Sequence, residues 1–213
     1  MPRRNRVDPF GDLHAVPWRG MFTGNRGCLV DDERDLVRHH RGNLWITCVT
    51  SYRDWRSPLD EPGHWTPLFF LDDAVALAAG HRPCGLCRRD DYHSYQAALT
   101  VGLRADRPIP AAEQNRLLAS ERLIRGRGLE RAGDRKTWSE GISKLPDGTV
   151  IVEDDVPLMI LGDRLLEFAF TGWKSPRVRP VRSSVEVLTP PTSVVALRHG
   201  FHPRLHDSIR HVR

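Results

Sequence analysis

Apolar residues alternate with polar ones, or run in short β-branched blocks, in two separate stretches of the chain. In the first, Arg26-Gly27-Cys28-Leu29-Val30, Asn43 to Thr50 and Pro67 to Leu71 predict strands. In the second, Thr149 to Val152, Pro157 to Leu161, Leu165 to Phe170 and Val185 to Leu188 do so, with Leu145-Pro146-Asp147-Gly148 and Gly162-Asp163 as turns. Helical patterning lies mainly between these stretches. Asp72 or Asp73 caps Ala74 to Ala79, and Gly80 stands where a left-handed stop residue belongs. Further helices are predicted over about 90–103, over about 111–125, where Leu117, Leu118, Leu123 and Ile124 form an apolar face, and from Thr192 or Ser193 to His199. The class that follows is α+β. Residues 1–20 read as a polar, proline-punctuated arm. Residues 21–107 form one module, and residues 108–213 a helix followed by a β-rich unit, either separate from the module or continuous with it.

The chain has 213 residues, enough to bury a core without crosslinks. No run approaches the roughly 18 apolar residues of a membrane span. The basic N-terminus leads into no apolar segment, so a cytoplasmic protein is expected. Its four cysteines, Cys28, Cys48, Cys84 and Cys87, then point to metal or redox chemistry. The net charge of +5 carries the reading further, because it suits a polyanionic partner, nucleic acid. Neither a phosphate-binding P-loop, a dinucleotide-binding glycine motif nor a nucleophile elbow is present.

Cys84-Gly85-Leu86-Cys87 places two sulfurs on one side of a tight turn, within reach of one ion, and Gly85 permits that turn. Arg82, Arg88 and Arg89 around it favour thiolates. A redox pair usually opens a helix after a strand, whereas this pair follows a helix and a proline turn, so zinc is the expected occupant. Cys28 and Cys48, on two neighbouring predicted strands, complete a four-cysteine site. His40, His64 and His81 are the substitutes. Arg82, Arg88, Arg89, Arg125, Arg127 and Arg131 are the expected phosphate contacts, and Trp55 the best base-stacking candidate. A second site built from the remaining histidines, or a catalytic pair from the acidic clusters Asp60-Glu61 and Glu153-Asp154-Asp155, is disfavoured.

The stretch from Leu71 to Asp90 carries a helix, an Ala79-Gly80 stop, Arg82-Pro83 and the cysteine pair. It resembles the metal-binding domain of Ada-type DNA alkylation-repair proteins. The resemblance implies that Cys84 and Cys87 ligate zinc, and it favours DNA as the partner. That family's other two cysteines stand three residues apart, and one of them accepts a methyl group. This chain has no such pair, so the resemblance does not imply methyl transfer. Gly24 to Gly27, Phe69 to Arg88, Leu145 to Gly148 and Leu188 to Pro191 also resemble a group of bacterial proteins. That implies one continuous architecture and no particular activity. Three functions follow as expectations. The first is a zinc-stabilised nucleic-acid-binding protein, with DNA repair or processing as one setting for it. The second is an enzyme acting on nucleic acid or nucleotide through a zinc-bound cysteine or water. The third is a zinc-stabilised protein-interaction module.

Overall fold

The computed structural model describes residues 2–53 and 61–211. Among them are four α-helices and two six-stranded sheets, an α+β architecture. The first sheet is built from β1 (Arg6–Val7), β2 (Leu13–His14), β3 (Phe22–Asn25), β4 (Ile46–Cys48), β5 (Leu68–Phe70) and β6 (Arg82–Pro83), in the order β2-β1-β5-β3-β4-β6. The pairs β1–β5 and β4–β6 are parallel and the others antiparallel. The second sheet contains β7 (Trp138–Gly141), β8 (Val150–Glu153), β9 (Val156–Leu161), β10 (Arg164–Ala169), β11 (Gly172–Val178) and β12 (Ser184–Val187). Its order is β11-β10-β9-β8-β12-β7, antiparallel throughout. Asp154 and Asp155 both adopt positive φ, 50° and 61°, and so form the two-residue turn that joins β8 to β9 with matching twist.

Helix α1 (Asp73–Ala78) is apolar all round after its capping pair, and every residue in it is buried. It touches β5 of one sheet and β8 of the other. One core therefore joins Val7, Leu68, Phe70 and Val75 to Val150, Met159, Leu166 and Trp173. The Asp72 carboxylate caps α1 by accepting from the Val75 amide at 3.1 Å, and also accepts from Trp173 Nε1 at 2.6 Å and the His206 amide at 3.0 Å. Gly80 has φ 81°, and a Cβ there would meet Arg122 at 2.9 Å, so both conformation and space demand glycine. A second cluster packs α1 against α2 (Arg89–Gly102) and α4 (Pro191–Arg198) through Leu77, Tyr95, Leu99 and Leu197. Helix α3 (Ala111–Arg122) follows α2 and ends early, at Arg122.

Several expectations are corrected here. The first 20 residues are no arm. They hold β1 and β2, and Val7 and Leu13 are core residues. Two-residue strands leave no alternation to read. The strand predicted at 26–30 lies earlier, at β3, and Val30 makes only an isolated bridge to Leu36. Strands β6, β7 and β11 do not follow from the patterning: β6 is two residues of arginine and proline, and β11 is mostly exposed and polar. The 125–136 stretch is only partly an exposed loop, since Arg131 and Arg135 are buried.

Candidate metal centre

Strand β4 places the first thiol. It pairs in parallel with β6, Ile46 opposite Arg82 and Thr47 opposite Pro83, and the Cys84 amide donates to the Thr47 carbonyl at 2.9 Å. Parallel neighbours lie about 4.8 Å apart. Cys48 and Cys84 therefore leave the ends of adjacent strands side by side. The chain then turns through Gly85 and Leu86, and the Arg88 amide closes the turn on the Cys84 carbonyl at 3.1 Å. Cys87 is thereby returned to the same place, and α2 begins. Gly85 is not needed for its conformation. It lacks a positive φ, and a Cβ there would only touch the Tyr92 ring at 3.5 Å.

The three sulfurs of Cys48, Cys84 and Cys87 all lie within 4.8 Å of one another. Tetrahedral zinc with bonds of about 2.3 Å would set them about 3.8 Å apart, so small side-chain rotations suffice to close the site. No fourth histidine, cysteine or carboxylate joins this group among the described residues. Cys28 stays apart. It is buried, and its thiol donates to the Val30 carbonyl at 3.4 Å. Of the histidine substitutes, His64 is exposed and His81 is enclosed between Trp45 and Phe70. Neither they nor His40 belongs to the group.

The thiols share protons as a set. Hydrogen bonds from Cys48 and Cys87 hold Cys84 far below the ordinary thiol range, at about 2, helped by backbone amides including Leu86 N at 3.4 Å. The same hydrogen bonds to Cys84, then to Cys87, together with burial, push Cys48 up. At Cys87 the Cys48 contact lowers the pKa, but the bond to Cys84 and burial outweigh it and the net direction is up. One thiolate stabilised by two thiols is what the protein itself supports; a divalent cation would let the other two ionise.

The cluster opens on a cavity of about 470 Å³. Its wall is largely apolar, with Ile46, Val49, Leu86, Tyr52 and Trp65, and it carries the polar groups of Thr23, Asn25, Thr50 and Arg53. The Arg53 guanidinium lies 5.2 Å from the centre of the Tyr52 ring. Nothing in the sequence singles out Tyr52 or Arg53, and Trp65 is one of six tryptophans that could stack on a base, with Trp55 the better candidate there. Tyr52 and Arg53 are adjacent in the chain but distant from Trp65, and only the fold brings all three to the thiols.

The local setting of the cysteine pair also differs from expectation. Strand β6 precedes it and α2 follows, so strand–pair–helix order alone does not separate metal from dithiol chemistry here. The third thiol on β4 adds a ligand that a dithiol pair does not need, and the three together could hold a metal ion.

The six arginines divide evenly. Arg88 is buried and donates two bonds to the Asp73 carboxylate, at 2.6 and 2.8 Å, one to Asp91 at 2.9 Å and one to Thr47 Oγ1 at 2.7 Å. Arg82 is buried on Asn115 and the Pro83 carbonyl. Arg131 is buried, paired with Asp134 and bonded to the carbonyls of Gly126 and Ile124. These three serve the fold, whereas Arg89, Arg125 and Arg127 are exposed. Trp55 and Asp60 lie outside the described residues. No helix is long and apolar enough to cross a membrane among the described residues. No family model matches the chain, and no curated protein or solved structure matches it.

Proposed function

We propose that the protein is a zinc protein whose centre on Cys48, Cys84 and Cys87 keeps one coordination position toward the cavity, and that a nucleic acid or nucleotide is acted on there. The observation that carries this reading is the meeting of three thiols, without a fourth ligand from the described residues, at the wall of a cavity. Structural zinc sites close with four protein ligands, whereas catalytic ones hold three and leave a place for water or substrate. Zinc bound there supplies a Lewis acid.

The protein's own groups do the rest. The thiolates fix the ion at the junction of β4, β6 and α2, and the Leu86 amide moderates the charge on Cys84. Tyr52 and Trp65 offer flat apolar faces on which a base can stack, and Arg53 beside them offers a cation for phosphate. The resemblance to Ada-type domains over residues 71–90 supports zinc and DNA together, and it covers Cys84 and Cys87 only. A second reading, nucleic-acid binding with zinc purely structural, is favoured by the exposed Arg89, Arg125 and Arg127.

Zinc counted per chain tests the proposal. One ion is expected in the parent and in Cys28→Ser, and less than one tenth of that in Cys48→Ser or Cys84→Ser. Loss of zinc in Cys28→Ser would close the site with a fourth cysteine and overturn the open position. A zinc-free parent after reconstitution would overturn the metal centre itself. Steep loss of oligonucleotide affinity with salt, unaltered by zinc-site ligands, would favour the second reading.

A further inference from the structure

At its other end β4 borders a second, chemically opposite cluster. Trp45, fully buried, has the guanidinium of Arg26 4.2 Å from its ring centre and that of Arg122 3.8 Å away. Arg135 joins them from the residues before β7. All three side chains are buried, and none makes an ion pair among the described residues. Arg26 is held by the Gly11 carbonyl at 2.7 Å and by the rings of His39 and His81. Arg122 is held by the carbonyls of Gly80 and Asn43, and Arg135 by those of Arg122, Ala78 and Leu188. Arg26 Nη2 and Arg135 Nε have no hydrogen-bond partner among the described residues. Burying a cation without an opposite charge is costly. The carboxylates of Asp8 and Asp12 act on Arg26 and Arg135 through space without an ion pair, so three cations bonded to neutral acceptors stand against two negative charges.

One member of the cluster reaches a cavity. Arg122 lines a space of about 320 Å³ together with His40, Asn43, Arg125 and Arg131. A guanidinium has five N–H donors, and the two carbonyls take two of those on Arg122. The Arg125 guanidinium makes no hydrogen bond or ion pair among the described residues. Arg131 is paired with Asp134 and its amide donates to the Asp12 carboxylate at 2.7 Å, so three arginines line the space with two carboxylates, both held at Arg131, and none paired with Arg122 or Arg125 among the described residues.

We propose that this cavity is an anion site, and that its ligand is a phosphate group: Arg122 receives it at the floor, Arg125 closes on it from the rim, and His40 and Asn43 supply neutral hydrogen-bonding groups. Forked arginines suit phosphate oxygens, and the buried arginines behind the floor raise the local potential. The inference does not depend on the cysteine centre, which lies at the opposite end of β4.

Calorimetric titration of the purified chain with inorganic phosphate, against chloride at equal ionic strength, tests it. Phosphate is expected to bind, and Arg125→Gln to weaken it about tenfold or more without changing the melting temperature in chloride. Arg127→Gln, which removes the same charge two residues away, is expected to leave affinity within about twofold. Displacement of phosphate by a 5′-hydroxyl oligonucleotide would assign the site to backbone phosphodiesters, and undisturbed phosphate binding would assign it to a free or terminal phosphate. Heat no greater than chloride gives, or equal losses in Arg125→Gln and Arg127→Gln, would overturn the proposal. Should Arg125→Gln lower the melting temperature, Arg125→Lys, which keeps the charge but not the fork, is expected to fold and to bind phosphate more weakly than the parent; parental affinity in that variant would also overturn it.

Discussion

Strand β4 separates two clusters that fail in opposite senses. At Cys48 three thiols that could hold a cation gather, and at Trp45 two buried guanidiniums stack, with buried Arg135 near them and no ion pair to any of the three among the described residues. A third group, between them in the fold, shows what completion looks like: Arg88 is buried against Asp73 and Asp91, and its charge is answered within the chain. The contrast teaches where ligands belong. A polar cluster that balances itself holds the fold together, and one that does not marks a place where something else supplies the missing charge.

The largest expected effect tests the first cluster. Cys84→Ser should abolish zinc binding and lower unfolding free energy by about 4 kcal/mol or more in the zinc-loaded comparison, read by urea denaturation, because metal binding to the folded state alone is folding energy. A variant as stable as the parent would remove the metal from the account of the fold. Next, Asp73→Ala should cost about 3–5 kcal/mol, since it leaves the Arg88 charge buried with only Asp91 to answer it. A loss below about 1 kcal/mol would erase the distinction between the balanced group and the unbalanced ones.

The guanidinium cluster should reveal itself through pH. Burial, then the charge of Arg26, pushes His39 down to about 2, and burial and the same arginine push its neighbour His40 down to about 4. These rings stay neutral in the fold while the unfolded chain binds protons below its ordinary histidine pKa of about 6.5. The unfolded state then holds more protons, so stability falls as pH drops below that value. His39 alone should account for about 2 kcal/mol between pH 6.5 and 5, and His39→Gln should flatten the slope by that amount. An unchanged slope would mean that His39 is protonated beside Arg26. The smallest effect belongs to Cys28→Ser, a buried thiol with one weak carbonyl contact, which should cost about 1 kcal/mol and leave the zinc content intact.

Much of this was legible in the residues. The α+β class, α1 with its aspartate cap and Gly80, α2 and most of the second sheet follow from patterning, because their periodicity and punctuation are local. Cys84 and Cys87 were equally legible, since their spacing is itself the site. Cys48 needed β4 to pair with β6, and nothing local in Arg82-Pro83 announces a strand. Cys28 enters the expected site because two apolar stretches read as neighbouring strands. The true neighbour of β4 is β3, which places Thr23, not Cys28, opposite Cys48. The arginines misled for a related reason. Arg82, Arg88 and Arg131 look like surface charge in sequence, and only tertiary packing shows the acceptors that bury them.

X-ray absorption at the zinc edge of the reconstituted parent tests the central claim most directly. Three sulfurs at about 2.3 Å and one oxygen or nitrogen at about 2.0–2.2 Å are predicted, with the lighter scatterer exchanging when an added ligand enters the cavity. Four sulfurs would mean a closed structural site and would contradict the open position on which the proposed function rests.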